Sequence, residues 1–293
     1  MKPKYAILLL LLTSFIWGLS FVAQSTAADS IGPFTFNALR FFIGTIVLIP
    51  FIIKPLKSEF SDKEYLKKLF KSGLICGTFL SFASFVQQAG INAGTDSGKA
   101  GFITSLYILF VPIISLFFRK KVSLKIWICV AIGLVGAYLL SIDPNSTNES
   151  RLGDGLVLLS ALIFALHITA IDKFAKGVNG IELSALQYLV AGIICLFGMI
   201  IFEPVQVSSI KEATFSILYA GIFSCGIAYT FQIIGQRYVD ATPATLALSL
   251  ESVFAAFGGA VILGERMNGR EIAGALLLFS AVIISEINVK KKA

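Results

Sequence analysis

Ten stretches of this chain are apolar almost without interruption, separated by short polar breaks: about 5–24, 31–53, 69–91, 100–118, 124–142, 152–172, 182–202, 215–236, 244–263 and 269–287. Each holds roughly 20 residues, and at about 1.5 Å per residue a helix of that length crosses a ~30 Å hydrocarbon core. Inside a bilayer the backbone must satisfy its own hydrogen bonds, so the runs predict helices. The pattern as a whole predicts an all-α integral membrane protein with ten transmembrane helices. Only 54–68 and 142–151 hold much polar sequence, which leaves no room for a soluble catalytic domain. Lys2 and Lys4 before the first run, and Ser25-Thr26-Ala27-Ala28 near its end, also fit a cleaved secretory signal. Nine further runs, and an echo of the first at 152–172, favour a retained span.

The second five runs echo the first five. With Trp17 laid on Phe164, Ile16-Trp17-Gly18-Leu19 meets Ile163-Phe164-Ala165-Leu166, and Ala38-Leu39-Arg40 meets Ala185-Leu186-Gln187. After a two-residue adjustment, Phe82-Ala83 meets Ile227-Ala228, Gln87 meets Gln232, Gly90 meets Gly235, and Arg119-Lys120-Lys121 lies on Gly264-Glu265-Arg266. Each identity is weak singly; their collinearity over five spans separates them from chance matching of apolar helices. An odd number of crossings turns the second repeat upside down. The reading is therefore two inverted five-helix repeats, 1–142 and 152–293, joined by a polar outer linker at 143–151 that includes Asp143-Pro144-Asn145. Inverted repeats recur among secondary transporters.

Composition and charge sharpen this picture. Apolar residues make up 56% of the chain and charged residues 14%, far from a soluble profile. A net charge of +7 could suggest nucleic acid, but its placement does not. With a cytoplasmic N-terminus, 18 of the 24 Lys and Arg fall on the cytoplasmic side and 5 outside, with Arg40 inside a span. That bias places both termini in the cytoplasm and reads as membrane-orienting charge, in reach of anionic lipid. The four cysteines (Cys76, Cys129, Cys195, Cys225) are scattered through the spans and read as small buried residues rather than a disulfide framework or zinc site.

Candidate chemistry sits within the spans. Pro33 and Pro243 mark helix starts, where a missing N–H costs nothing. Pro112 lies mid-span and predicts a kink, either a hinge lining a pathway or a static bend. Gly73 with Gly77, Gly133 with Gly136, and Gly258 with Gly259 let helix backbones approach closely within the bundle. Embedded ionisable residues normally face a protein interior. Arg40 lies about nine residues, or ~13 Å, from the outer end of its run. It suits an anionic group on a substrate, or a helix-pairing partner such as Asp29, Asp96 or a backbone carbonyl. Glu251 lies about seven residues, or ~10 Å, from the inner end of its run, and suits an amine, a coupling proton or a helix contact. His167, the only histidine, is a titratable group or a packed hydrogen-bonding one. At similar depth lie Trp17, Asn37, Gln87, Gln88, Thr104, Tyr107, Gln187, Tyr188, Tyr229 and Gln232, whose amides, phenols and rings can orient a ligand or tie neighbouring helices. Of these, Arg40, Glu251, Trp17, Asn37, Gln87, Tyr107, His167, Gln187 and Tyr229 form the candidate substrate site.

These residues carry a resemblance. Phe15-Ile16-Trp17-Gly18-Leu19-Ser20-Phe21, Arg40 in the second span, Ala100-Gly101-Phe102-Ile103-Thr104-Ser105-Leu106 with Val111-Pro112, and Leu250-Glu251-Ser252-Val253-Phe254-Ala255-Ala256 leading to Leu263-Gly264-Glu265-Arg266 are similar to motifs of the EamA-type branch of the drug/metabolite transporter superfamily. Ser252 stands where that family usually has proline, so no kink is expected at 252. Glu265 has no counterpart in Arg119-Lys120-Lys121. The resemblance implies ten helices, inverted halves, a central cavity, alternating access and no cofactor. Its members move small organic solutes, often outward.

The function expected is therefore secondary transport of small amphipathic or zwitterionic metabolites such as amino acids, at a bacterial plasma membrane, with proton coupling open. No Walker A motif is present, which disfavours ATP-driven transport by this chain. Exchange of sugar phosphates or nucleotide-sugars would want several embedded cations where only Arg40 lies deep. An enzyme would want a nucleophile–base pair, paired aspartates or a metal set, and the spans offer none. A structural or sensory membrane protein is the remaining alternative. Oligomeric state, substrate and direction are open at this level.

Overall fold

The computed structural model describes residues 3–59, 62–119, 121–141, 151–262 and 269–286. Helices account for nearly all of them. In chain order these are α1 (Pro3–Ala28), α2 (Pro33–Glu59), α3 (Lys63–Asn92), α4 (Ser97–Ser105), α5 (Tyr107–Phe117), α6 (Leu124–Ser141), α7 (Arg151–Phe174), α8 (Gly180–Phe202), α9 (Val207–Glu212) and α10 (Thr214–Tyr219). A π-helical segment (Ala220–Tyr229) follows, then α11 (Thr230–Gln236), α12 (Ala241–Leu248), α13 (Glu251–Ile262) and α14 (Gly269–Glu286). Eight spans among the described residues are long and apolar enough to cross a membrane, α4–α5, α10–α11 and α12–α13 each counting as one. The stretch Leu124–Leu139 is apolar but shorter, so eight spans rather than the expected ten meet the criterion. The greater part of the expected linker, 143–150, and the Leu263-Gly264-Glu265-Arg266 motif lie outside the described residues, as does Lys120; Arg151, expected in the linker, opens α7.

Large apolar side chains cover the outside while the interior is rich in hydroxyls and amides. Phe117, Phe197, Leu276 and Phe51 point outward, and Gln88, Gln187, Gln232, Thr245 and Ser84 are fully buried. Water would penalise such a surface; a hydrocarbon solvent does not, and it gives helices no hydrophobic reason to associate. Close packing therefore matters more. A Cβ on Gly18 would stand 2.5 Å from Phe254 Cβ and 2.7 Å from the Glu251 carbonyl oxygen, so only glycine lets α1 lie this near the start of α13. Gly73 faces Leu186 and Gly136 faces Gly274, within the same bundle. Gly90 meets the Gly153 carbonyl and Val157 on α7, while Gly235 meets the Ala6 carbonyl and Leu10 on α1. Under the repeat alignment those are equivalent residues in equivalent contacts.

Two spans are interrupted at mid-length. Leu106 separates α4 from α5, where Leu106 N–H donates to Ile103 O at 3.2 Å, a tightened turn. Ser249 and Leu250 separate α12 from α13, with Ser252 N–H donating to Ser249 O at 3.2 Å. This corrects the expectation of an uninterrupted helix around 252. No proline stands at this break; hydroxyls flank it, with Thr245 Oγ1 donating to Thr242 O (2.7 Å), Ser249 Oγ to Leu246 O (2.8 Å) and Ser252 Oγ to Ser249 O (2.8 Å). Side chains that take carbonyls from the helix ladder bend it. Ser105 Oγ does the same to Phe102 O at 2.7 Å beside the α4–α5 break. Pro112 sits inside α5, six residues beyond that break, and does not face the central cavity.

The π-helical segment was not foreseen. Its wider turn misaligns carbonyls with their usual partners, and side chains take them up. Tyr188 OH donates to Cys225 O at 2.7 Å, and Thr13 Oγ1 to Ala228 O at 3.0 Å. Wide turns of this kind are frequent at functional sites.

Glu203, just past α8, clamps the start of α2. Its carboxylate accepts from Phe34 N–H (2.7 Å), Thr35 N–H (2.8 Å) and Thr35 Oγ1–H (2.6 Å). An anion here also meets the positive end of the helix that carries Arg40. Glu203→Ala strands two first-turn donors, so we expect a loss of about 1–3 kcal/mol of stability, read as a lowered melting temperature in detergent.

Candidate functional site

The cavity at the centre of the bundle is built by pieces of almost every helix around it. Residue α1 positions 17, 20, 21 and 24 lie on one helical face and give it Trp17, Ser20, Phe21 and Gln24. Arg40 comes from α2, Gln87 from α3, Thr104 and Tyr107 from either side of the α4–α5 break, and Phe164 and Ile168 from α7. Ser224 and Tyr229 come from the π-helical segment, Gln232 from α11, and Glu251 from the first residue of α13. These side chains converge on one central cavity between the helices, a common setting for small-molecule sites. Arg40 and Glu251 thus share one cavity.

Arg40 is 2% exposed. Its Nε–H donates to Asn37 Oδ1 at 3.0 Å, and its guanidinium carbon lies 5.2 Å and 5.0 Å from the ring centres of Phe36 and Phe41. Asn37 is held in turn by donating to Pro33 O (2.8 Å) and Ser84 O (3.3 Å). The Nη2 end has no hydrogen-bond partner among the described residues. The hydrogen bond that its side chain makes is to Asn37, one turn away on the same helix. Glu251 is 3% exposed, and its Oε1 is likewise unpartnered.

Other atoms without a partner among the described residues converge on the same space: Trp17 Nε1, Ser20 Oγ, Gln24 Oε1 and both amide atoms of Gln232. Native interiors rarely leave polar groups unpaired, and a cluster around one cavity asks for a functional explanation. The Trp17 and Tyr229 rings pack with centroids 4.5 Å apart and form an aromatic wall. Gln87 is already engaged, donating through Nε2 to Thr104 Oγ1 at 2.9 Å.

Of the nine candidates read from sequence, six line the cavity: Arg40, Glu251, Trp17, Gln87, Tyr107 and Tyr229. Asn37, His167 and Gln187 stand behind the wall. Asn37 aims the guanidinium. His167 Nε2 and Gln187 Oε1 are 3.1 Å apart, and the imidazole meets the Tyr229 ring edge-on at 6.1 Å, the geometry of a packed support. Ser20, Phe21, Gln24, Phe164, Ile168 and Ser224 were absent from that candidate set, as were Thr104 and Gln232, which the sequence marks only as lying at similar depth. Spacing from Trp17 at i+3, i+4 and i+7 marks the first three as its face-mates. Ser224 lies five residues before Tyr229, a same-face spacing only in a π-helix, so α-helical periodicity hides it.

The bundle is also tied across its length away from the cavity. Tyr65 OH donates to Glu182 Oε2 at 2.7 Å and accepts from Asn179 N–H at 2.9 Å. Asp154 pairs with Lys99 at 2.5 Å and accepts from Thr95 Oγ1 at 3.1 Å. Each joins residues before the 142–150 stretch to residues after it.

The profile of the EamA-like transporter family matches residues 4–142 and again 151–286. The chain belongs to the EamA-like transporter family. It is a multi-pass membrane protein of that family. Among similar proteins, an uncharacterized transporter of Archaeoglobus fulgidus is 32% identical over 290 residues, 98% of this chain and 88% of that protein. The uncharacterized transporter YoaV of Bacillus subtilis is 25% identical over 95% of this chain and 96% of its own. The threonine/homoserine exporter RhtA of Salmonella typhimurium is 24% identical over 87% of this chain and 82% of its own. One solved crystal structure covers 98% of both chains with a TM-score of 0.75 at 19% identity, a likeness of fold.

Proposed function

We propose that this EamA-family protein exports small zwitterionic metabolites, amino acids or closely related compounds, across a bacterial plasma membrane. The observation that carries the reading is a buried guanidinium and a buried carboxyl group facing one cavity, each with an atom, Arg40 Nη2 and Glu251 Oε1, that has no hydrogen-bond partner among the described residues. Each charge costs free energy while it lacks a partner in a low-dielectric interior. A ligand bearing a carboxylate and an ammonium supplies both partners at once. The likeness to RhtA, a threonine/homoserine exporter, supports the same class. A phosphorylated sugar fits less well: its charge would fall on Arg40 alone and face Glu251.

The route is alternating access between two inverted halves with both termini in the cytoplasm. Support comes from the family match recurring in each half and from the paired Gly90 and Gly235 contacts. The halves rock about the central site, and a ligand drives the change only as far as it binds one state better. The substrate gradient, proton exchange at Glu251, or both supply the driving force.

The test is flux through proteoliposomes. Labelled neutral amino acids are expected to cross with saturable kinetics and to exchange with unlabelled amino acid inside. Absence of movement of any zwitterion under substrate or proton gradients would leave a structural or sensory role instead.

A further inference from the structure

We infer that Gln232 reads a third group on the ligand, a neutral group that both donates and accepts a hydrogen bond, and so decides which zwitterions are carried. The inference rests on the zwitterion reading above and deepens it. Gln232 is fully buried, lines the cavity, and has neither its Oε1 nor its Nε2 partnered among the described residues. No other amide around the cavity is unpartnered at both ends.

The contrast with Gln87 makes the point sharper. Under the repeat alignment the two glutamines are counterparts, and both line the cavity. Gln87 spends its N–H on Thr104 Oγ1 at 2.9 Å. The counterpart of Thr104 is Ser249, whose hydroxyl donates to Leu246 O at 2.8 Å within its own helix. Gln232 is left with a donor and an acceptor aimed at the ligand space, while the charges sit elsewhere in the wall, on α2 and α13.

A primary amide pairs best with a group that has the same two capacities. A hydroxyl or a carboxamide on the ligand side chain meets both atoms. An apolar side chain of the same shape leaves both unmet, and sites built to hydrogen-bond a substrate discriminate strongly against such isosteres. A charged side chain would lack a counter-charge at this wall. Gln232 therefore selects hydroxyl- or carboxamide-bearing amino acids over their aliphatic isosteres.

The experiment compares isostere pairs, L-threonine with L-valine and L-asparagine with L-leucine, as kcat/KM for flux in proteoliposomes. Wild-type protein is expected to favour the polar member of each pair by about tenfold or more. Gln232→Met keeps the volume and is expected to bring both ratios close to one while valine flux persists, which also reports a folded carrier. Gln232→Asn, with both functions on a shorter arm, is expected to fall between. A wild-type ratio near one, or a ratio unchanged in Gln232→Met while zwitterions still move, overturns the inference. Because the wild-type ratio is read first, a variant that fails to fold does not shield it. If wild-type protein moves none of the four compounds, the zwitterion reading itself fails.

Discussion

Arg40→Gln is expected to abolish ligand-dependent stabilisation without lowering the melting temperature of the ligand-free protein. Two opposite consequences follow from one geometry. Bound to a carboxylate, the guanidinium makes a desolvated charge-assisted contact, and truncating one partner of such a contact costs about 2–5 kcal/mol. That is roughly 30-fold to several-thousand-fold in Kd at about 1.4 kcal/mol per decade. In the ligand-free protein the Nη2 end has no partner among the described residues, so replacing the charge relieves a burial cost that offsets loss of the Asn37 bond and of the Phe36 and Phe41 ring contacts. Glutamine can still reach towards Asn37, the single side-chain hydrogen-bond partner that Arg40 has in the structure. Thermal unfolding in detergent, with and without amino acid, reads both effects. A helix-pairing arginine would give the reverse pattern, a lower melting temperature and an intact ligand shift.

Glu251→Gln is the companion prediction, with an effect of similar size but a different signature. The carboxylate is expected to hold the ligand ammonium, so the variant should lose zwitterion flux by about 30-fold or more in kcat/KM. N-acetylated amino acids, which carry no positive charge, should not lose flux in the variant; any residual transport of them holds or rises, because an unpaired carboxylate no longer opposes them. The variant also preserves the helix start at residue 251. The α12–α13 break is flanked by the hydroxyl bonds of Thr245, Ser249 and Ser252, none of which involves the Glu251 side chain. An equal fall for charged and acetylated ligands would assign Glu251 to the conformational change instead of recognition.

Much of the architecture could be read from hydropathy because a bilayer leaves so few choices. Apolar runs of spanning length have to be helices, and the family match occurs twice, over 4–142 and again over 151–286. What could not be read depends on hydrogen bonds made after the helices pack. Nothing local in Ala220–Tyr229 announces a wider turn; Tyr188 and Thr13, from other helices, accept the cost of its misaligned carbonyls. Nothing local to Glu203 marks its carboxylate as the partner of the start of α2, because Phe34 and Thr35 lie 169 and 168 residues away along the chain.

The site shows the same division. Arg40 and Glu251 stood out because charge at membrane depth is expensive, and the cavity brings both together. Depth alone could not tell a lining residue from a supporting one. Asn37, His167 and Gln187 have the same chemistry but stand behind the wall: Asn37 bonds Arg40, and His167 Nε2 pairs with Gln187 Oε1, while His167 Nδ1 and Gln187 Nε2 have no partner among the described residues. Gln232 carries the opposite signature, an amide with neither end spent.

The most direct test of the central claim, that one cavity holds both ends of a zwitterion, is thermal stabilisation of wild-type protein by a neutral amino acid, its N-acetyl derivative and its methyl ester. The free amino acid is predicted to raise the melting temperature, and each derivative, lacking one charge, to lose most of that shift. Equal shifts from all three would contradict the claim.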